Sequence, residues 1–221
     1  MLYPVYVFDA YGTLFDVHSA VAHHRAEIGE QAAVLSQIWR TKQLEYTWVR
    51  TMAGAYKDFR VLTQDALDFA AVQCGGISDD LRHKLLASYE TLDAYADVRA
   101  TLEGLKQAGA RTAILSNGTP AMLEAAISAS GLSDVVDACL SVDAIGMFKT
   151  RPEAYAMVET HFAIKPAQVS FQSSNRWDIA GAAAFGFRCV WINRTSQPDE
   201  YFDLAPMRVL PSLSGLLQDA H

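Results

Sequence analysis

The sequence predicts an α/β protein: a parallel sheet core with a helical subdomain inserted after its first strand. Three observations carry that prediction. From Val98 onward, short apolar runs alternate with amphipathic stretches, the pattern of a parallel sheet with right-handed crossovers. Residues 18–89 instead show apolar positions at helical spacing and few strand-like runs. Finally, the strands end in polar or charged residues, and ligands of open parallel sheets bind outside those ends.

The elements follow in order. Val5 to Asp9 is a short apolar run closing on a carboxylate, a buried strand, with a turn expected at Gly12. Val21, Ile28, Val34, Leu35, Ile38, Leu44, Trp48 and Met52 then recur at roughly helical spacing. Another helix is expected from Thr63 to Cys74, with Thr63 as its N-cap, and a further one from Ser78-Asp79-Asp80 through Leu85. Val98 to Ala108 is an amphipathic helix stopped by Gly109, and Arg111 to Ser116 a strand. Pro120 and Pro152 each open a helix, since proline suits the first helical turn. Ala138 to Val142 and Val169 to Gln172 are strands. Trp177 to Phe185 is a helix, Arg188 to Ile192 a strand, and Leu213 to Gln218 a short helix.

Bulk properties narrow the function. A chain that is 51% hydrophobic and 19% charged builds a sizeable core. The formal net charge of -7 argues against a nucleic-acid binder, which usually presents a basic face, but leaves an anionic small substrate open. Cys74, Cys139 and Cys189 form no CxxC pair and read as reduced, mostly buried thiols. His23 and His24 are adjacent, so on a helix they point in different directions and make a poor metal pair. No basic signal-peptide start and no apolar run of membrane-spanning length is present, so a soluble, cytoplasmic protein is expected.

The chemistry is concentrated at four strand ends. The first ends in Asp9, the second in Ser116-Asn117-Gly118. Phe148-Lys149 follows the third, and the fourth ends in Ser173-Ser174-Asn175, with Asp178 one turn on. Taken singly, these read as turns, caps or a surface charge. Together they deliver a carboxylate nucleophile, a cation beside it, donors for an anionic group, and a second carboxylate placed to activate water.

Phe8-Asp9-Ala10-Tyr11-Gly12-Thr13-Leu14-Phe15-Asp16 resembles the first motif of the haloacid dehalogenase superfamily. Ser116-Asn117-Gly118, Lys149 and Ser173-Ser174-Asn175-Arg176-Trp177-Asp178 resemble its second, third and fourth motifs. The resemblance implies a Rossmann-like parallel sheet core of residues 1–15 and 94–221 and a helical cap of residues 16–93. Magnesium-dependent phosphatases of the superfamily carry a second Asp two residues after the nucleophile and an acidic residue opening the fourth motif. Here those places hold Tyr11 and Ser173-Ser174-Asn175, a weak set for a hard cation. With Trp39 to Trp48, similar to a distinctive cap helix, the motifs resemble the L-2-haloacid dehalogenase branch.

That resemblance implies metal-free, cofactor-free hydrolysis of short (S)-2-haloacids to (R)-2-hydroxyacids. Asp9 attacks C2 with inversion, and Arg40 with Asn117 receives the halide. Ser116, Lys149 and main-chain amides near Tyr11 hold the substrate carboxylate. Thr13, Tyr155, Ser173 and Asn175 organise the nucleophile, and Asp178, near Lys149, helps water cleave the ester. Tyr11, Leu44, Phe59 and Trp177 line the apolar pocket. A homodimer is implied as well. The alternatives are a small-metabolite phosphatase using Asp9, and a non-enzymatic binding protein on the same scaffold. Three departures stand out: Thr150-Arg151 ahead of Pro152 in the third motif, Gln172 before Ser173, and the bulky Arg176.

Overall fold

Strand β1 (Val5–Phe8) is buried along its whole length, as its uninterrupted apolar sequence requires. A computed structural model describes residues 2–219 and places β1 third in a six-stranded parallel sheet. The other strands are β2 (Arg111–Ser116), β3 (Ala138–Ser141), β4 (Val169–Ser173), β5 (Arg188–Ile192) and β6 (Arg208–Leu210), in the spatial order β3-β2-β1-β4-β5-β6. The order reverses between β1 and β4, which makes that junction the topological switch point. Phe8 pairs with Ile114 on one side and Gln172 on the other, so Asp9, Ser116 and Ser173 emerge together at the carboxyl edge.

Between β1 and β2 the chain builds α1 (Ser19–His23), α2 (Arg25–Ile28), α3 (Ala32–Met52), α4 (Phe59–Gln73) and α5 (Asp79–Glu90), followed by α6 (Val98–Gln107). It leaves and rejoins the sheet side at one place: Asp16 N donates to Asp93 O at 2.8 Å and Tyr95 N to Leu14 O at 3.0 Å. Helices α7 (Pro120–Ala129), α8 (Pro152–Phe162) and α9 (Arg176–Phe185) complete the crossovers. Leu105, Leu115, Phe171 and Ile179 are among the fully buried side chains of the core. Each such side chain contributes roughly 1.5–3 kcal/mol by leaving water.

Some local expectations need correction. Helix α4 begins at Phe59, not Thr63, because the Asp58 carboxylate caps it by accepting from Val61 N at 2.9 Å. Thr63 lies inside the helix, and its hydroxyl donates back to Phe59 O at 2.7 Å. Strand β6 has no counterpart in the sequence reading, being only three residues long at the sheet edge. The terminal helix, Leu213–Asp219, is of the 3-10 type. Helix α3 buries Leu35, Trp39, Gln43 and Thr47, whereas Val34, Trp48 and Met52 are exposed. Of the cysteines, all free, only Cys189 is buried. His23 pairs with Asp93 and His24 with Ser88. Among the described residues no helix is long and apolar enough to cross a membrane.

Candidate active site

Asp9 follows the last residue of β1, and its amide donates to Gln172 O at 2.9 Å, which locks it to the switch point. The chain must then turn sharply. Gly12 does this with φ +91°, in the left-handed region that side-chain-bearing residues avoid. The turn brings Thr13 back beneath the carboxylate.

The two Asp9 oxygens are treated differently. Oδ2 accepts from Thr13 Oγ1 at 3.0 Å, Asn175 Nδ2 at 2.7 Å and Ser173 Oγ at 3.4 Å. Oδ1 accepts from Lys149 Nζ at 3.1 Å. Thr13 and Ser173 are themselves fixed, since their hydroxyls accept from Ser174 N at 2.8 Å and Asn175 N at 3.1 Å. A carboxylate held this way cannot rotate, and Oδ1 is the oxygen with lone-pair capacity to spare.

Lys149 is fully buried and stands between two carboxylates, donating to Asp178 Oδ2 at 2.8 Å as well as to Asp9. Burial alone would lower its pKa, but Asp178 and Asp9 outweigh that and raise it, so it stays an ammonium. Asp178 Oδ1 accepts the Tyr155 hydroxyl at 2.8 Å. Burial pushes the Asp178 carboxyl up to about 6, with Lys149 opposing and the Asp9 charge adding to the rise. Tyr155 is raised well above the usual phenol range by burial and by Asp178, so it donates rather than ionises. The 3-10 turn Val142–Ile145 leads into the Lys149 segment. The end of α3 and the loop after it hold that segment in place: Tyr56 donates to Asp143 at 2.6 Å, and Phe148 N to Thr51 Oγ1 at 3.2 Å.

A small pocket opens onto Asp9, Ser116 and Asn117 from the sheet and onto Arg40 from α3. Tyr11, Leu44, Phe59 and Trp177 form its apolar walls. Arg40 Nη2 reaches from the helical side to Tyr11 O at 3.1 Å and Asn175 Oδ1 at 3.3 Å. Asn117 Oδ1 accepts from Lys149 N at 3.1 Å, which leaves its Nδ2 as the donor for a ligand. Tyr11 stacks on Tyr89 with centroids 5.6 Å apart and tilts against Phe59 at 5.4 Å. Burial raises the Tyr11 phenol well above its ordinary value.

The structure therefore brings together Asp9, Thr13, Arg40, Lys149, Tyr155, Ser173, Asn175 and Asp178, with the pocket residues around them. Gln43 was not anticipated. It is fully buried one turn after Arg40, accepts from Arg40 Nη1 at 2.8 Å and from the Tyr89 hydroxyl at 3.0 Å, and donates to Thr63 at 2.7 Å. Its signal was a polar residue three positions from Arg40 on the buried face of α3.

The three departures turn away from the pocket. Arg151 is exposed and paired with Glu153. The Gln172 amide lies inside the sheet, its oxygen accepting from Ser170 Oγ at 2.6 Å and its nitrogen donating to Val7 O at 2.9 Å. Arg176 anchors the loop after β5 by donating to Asp199 at 2.6 Å and to Tyr201 O at 2.9 Å. Among the described residues no three His, Cys, Asp or Glu side chains are grouped to hold a metal ion.

Residues 3–186 match the family model described as haloacid dehalogenase-like hydrolase. The chain belongs to that family. Within it, the chain is similar to (S)-2-haloacid dehalogenase 1 of Pseudomonas sp. (strain CBS-3), 50% identical over 96% of this chain and 94% of the relative. It is similar also to (S)-2-haloacid dehalogenase 4A of Burkholderia cepacia, 47% identical over 91% of this chain and 87% of the relative. Among solved structures it resembles the L-2-haloacid dehalogenase of Xanthobacter autotrophicus with chloropropionic acid covalently bound. That haloacid dehalogenase family member is 36% identical, with a TM-score of 0.91 over 99% of this chain and 98% of the other.

Proposed function

We propose that this chain is a hydrolase of carbon–halogen bonds that converts short (S)-2-haloalkanoates to (R)-2-hydroxyalkanoates with inversion at C2. The observation that carries this reading is the asymmetric Asp9 carboxylate: Oδ2 takes three donors and Oδ1 takes one, from Lys149, beside a small pocket that also holds Arg40.

In the first step Asp9 Oδ1 attacks C2, the carbon–halogen bond breaks, and the halide leaves with the bonding pair. No general acid is required. Arg40 and Asn117 Nδ2 receive the halide, and a weakly hydrated guanidinium suits that anion. Ser116, Lys149 and main-chain amides near Tyr11 hold the substrate carboxylate. The apolar walls keep water out until the ester has formed. In the second step Asp178 takes a proton from water, whose oxygen adds to the Asp9 carbonyl carbon. The bond from that carbon to the hydroxy-acid oxygen then breaks, and the Asp9 carboxylate returns.

The reaction runs here without a metal. What supports this is the Lys149 ammonium seated between the two carboxylates a cation would need, and Tyr11 standing where a phosphatase of the superfamily has its acid. Residues 16–93 serve as a cap that brings Arg40, Leu44 and Phe59 to a core of residues 1–15 and 94–221. A homodimer is supported by apolar residues left exposed on the cap helices, Val34, Val49 and Met52 on α3 and Phe69 and Val72 on α4. A cytoplasmic location is supported by three free cysteines.

The test is halide release from L-2-chloropropionate against the D enantiomer in excess EDTA. Release from the L form alone is expected. No release, together with magnesium-dependent cleavage of a phosphate monoester, would replace this reading with the phosphatase one.

A further inference from the structure

Gly181 lies on α9 three residues beyond Asp178, so the two share a helix face. Glycine is a poor residue for a helix interior, and Ala180, Ala182, Ala183 and Ala184 surround it in sequence. Its φ is not in the left-handed region, so the backbone makes no demand for glycine. Space does. A Cβ at this position would overlap the Tyr155 hydroxyl and come within 2.8 Å of both Cβ and Cγ2 of Thr150.

The two neighbours differ in their freedom to yield. Thr150 is exposed: turning its side chain moves Cγ2 aside, and its Cβ clears with a small shift of a backbone that faces solvent. Tyr155 is fully buried, with its ring against Phe171, Phe185 and Phe187 at centroid distances of 5.9, 6.0 and 6.0 Å. A close-packed ring of this kind moves only by tilting, and tilting swings its hydroxyl. That hydroxyl is the donor to Asp178 Oδ1.

We propose that the missing side chain at Gly181 is what lets the Tyr155 hydroxyl reach Asp178, which makes Gly181 a positioning residue for hydrolysis of the Asp9 ester. This rests on the hydrolytic role proposed above for Asp178. In that step a water proton passes to Asp178 as the water oxygen bonds to the Asp9 carbonyl carbon. Asp178 returns the proton to the departing alkoxide, and the remaining carboxylic proton leaves to solvent. A carboxylate freed of the Tyr155 bond on Oδ1 keeps only Lys149 to orient it, and water attack becomes misaligned. The alkylation step, which uses Asp9 and not Asp178, is untouched.

The experiment compares Gly181→Ala, Tyr155→Phe and the double variant with the full wild-type chain on L-2-chloropropionate. Rapid-quench halide release reads alkylation, and intact mass reads the ester on Asp9. For Gly181→Ala the expected result is a halide burst at close to the wild-type rate. Ester should accumulate, with hydrolysis slowed roughly tenfold to hundredfold, the usual cost of misplacing a catalytic group. Tyr155→Phe should accumulate ester in the same way. The double variant should hydrolyse it within about twofold of Tyr155→Phe, because effects acting through one group do not add. The double variant also lacks the overlapping hydroxyl, so it carries the test if Gly181→Ala alone does not fold. A second full loss of rate in the double variant would overturn the proposal. So would ester accumulation in Tyr155→Phe with none in folded Gly181→Ala, which leaves the role of Asp178 standing. Absence of ester in Tyr155→Phe itself would overturn both.

Discussion

Arg40 Nη2 donates to Asn175 Oδ1 at 3.3 Å, and the Nδ2 of the same amide donates to Asp9 Oδ2 at 2.7 Å. One side chain therefore orients both the guanidinium and the carboxylate, although the first comes from the inserted helices and the second from the sheet. An amide suits this, since it presents an acceptor to one partner and a donor to the other on two separate atoms. Asn175→Asp keeps the acceptor, loses the donor and sets a second carboxylate against Asp9. Halide release should fall by about 10²–10³, the scale of losing one preorganised donor. Thermal unfolding followed in parallel should show the fold retained.

Asp9→Asn should abolish turnover with the fold intact. A sharper check on the wild type is a single turnover in ¹⁸O-water with enzyme in excess over substrate. The label should appear in the Asp9 carboxylate and not in the hydroxy acid. Label found directly in the product would mean that water, not Asp9, attacks C2.

Lys149→Met removes the cation between two buried carboxylates while keeping an unbranched side chain. Breaking such a pair costs about 3–5 kcal/mol, because the remaining charges lie uncompensated. The loss should depend on pH in a definite direction. Asp178 already has its pKa raised to about 6, so protonation is easier in the folded state than in the unfolded one. Its contribution to stability is present at low pH and lost as pH rises through that value. Without Lys149 the carboxyl rises further, so urea denaturation should show a larger deficit at pH 8 than at pH 5. An equal deficit at both would disprove the coupling.

The role proposed for Asp178 predicts a pH dependence of catalysis. Asp178 must be ionised to take a proton from water, so ester hydrolysis should fall about tenfold per unit as pH drops below about 6. Halide release in the first turnover should not follow that profile. Rapid-quench measurement of the two phases between pH 4.5 and 8 separates them, and matching profiles would remove Asp178 from the second step.

Most of the strands were legible in the sequence, because each is a short apolar run between turn or capping residues. Arg111–Ser116 and Arg188–Ile192 are read with the bounds the structure has. The candidate site residues stood out for a related reason: polar and charged residues fall together at four strand ends, although each alone reads as a turn or cap. Helix α3 was harder. Its apolar residues recur at roughly helical spacing through Trp48 and Met52, yet both of those are exposed and the helix buries Gln43 and Thr47. Gln43 satisfies its amide through Arg40, Thr63 and Tyr89, partners 3, 20 and 46 residues away along the chain. A hydropathy pattern cannot register such distant partners. Arg176 is similar, for its partners Asp199 and Tyr201 lie on a loop whose path is a tertiary matter.

By itself the sequence determined the alternation of strands and helices, the helices inserted after β1 and the polar groups at the strand ends. Those depend on local pattern and on which side chains are present. Tertiary structure alone decided that Asp9 Oδ2 takes three donors while Oδ1 takes Lys149, and that Lys149 stands between Asp9 and Asp178. It also decided that Tyr155 reaches Asp178 past a helix position without a side chain. These are distances between atoms from different strands and helices, and only packing brings such atoms within hydrogen-bond range.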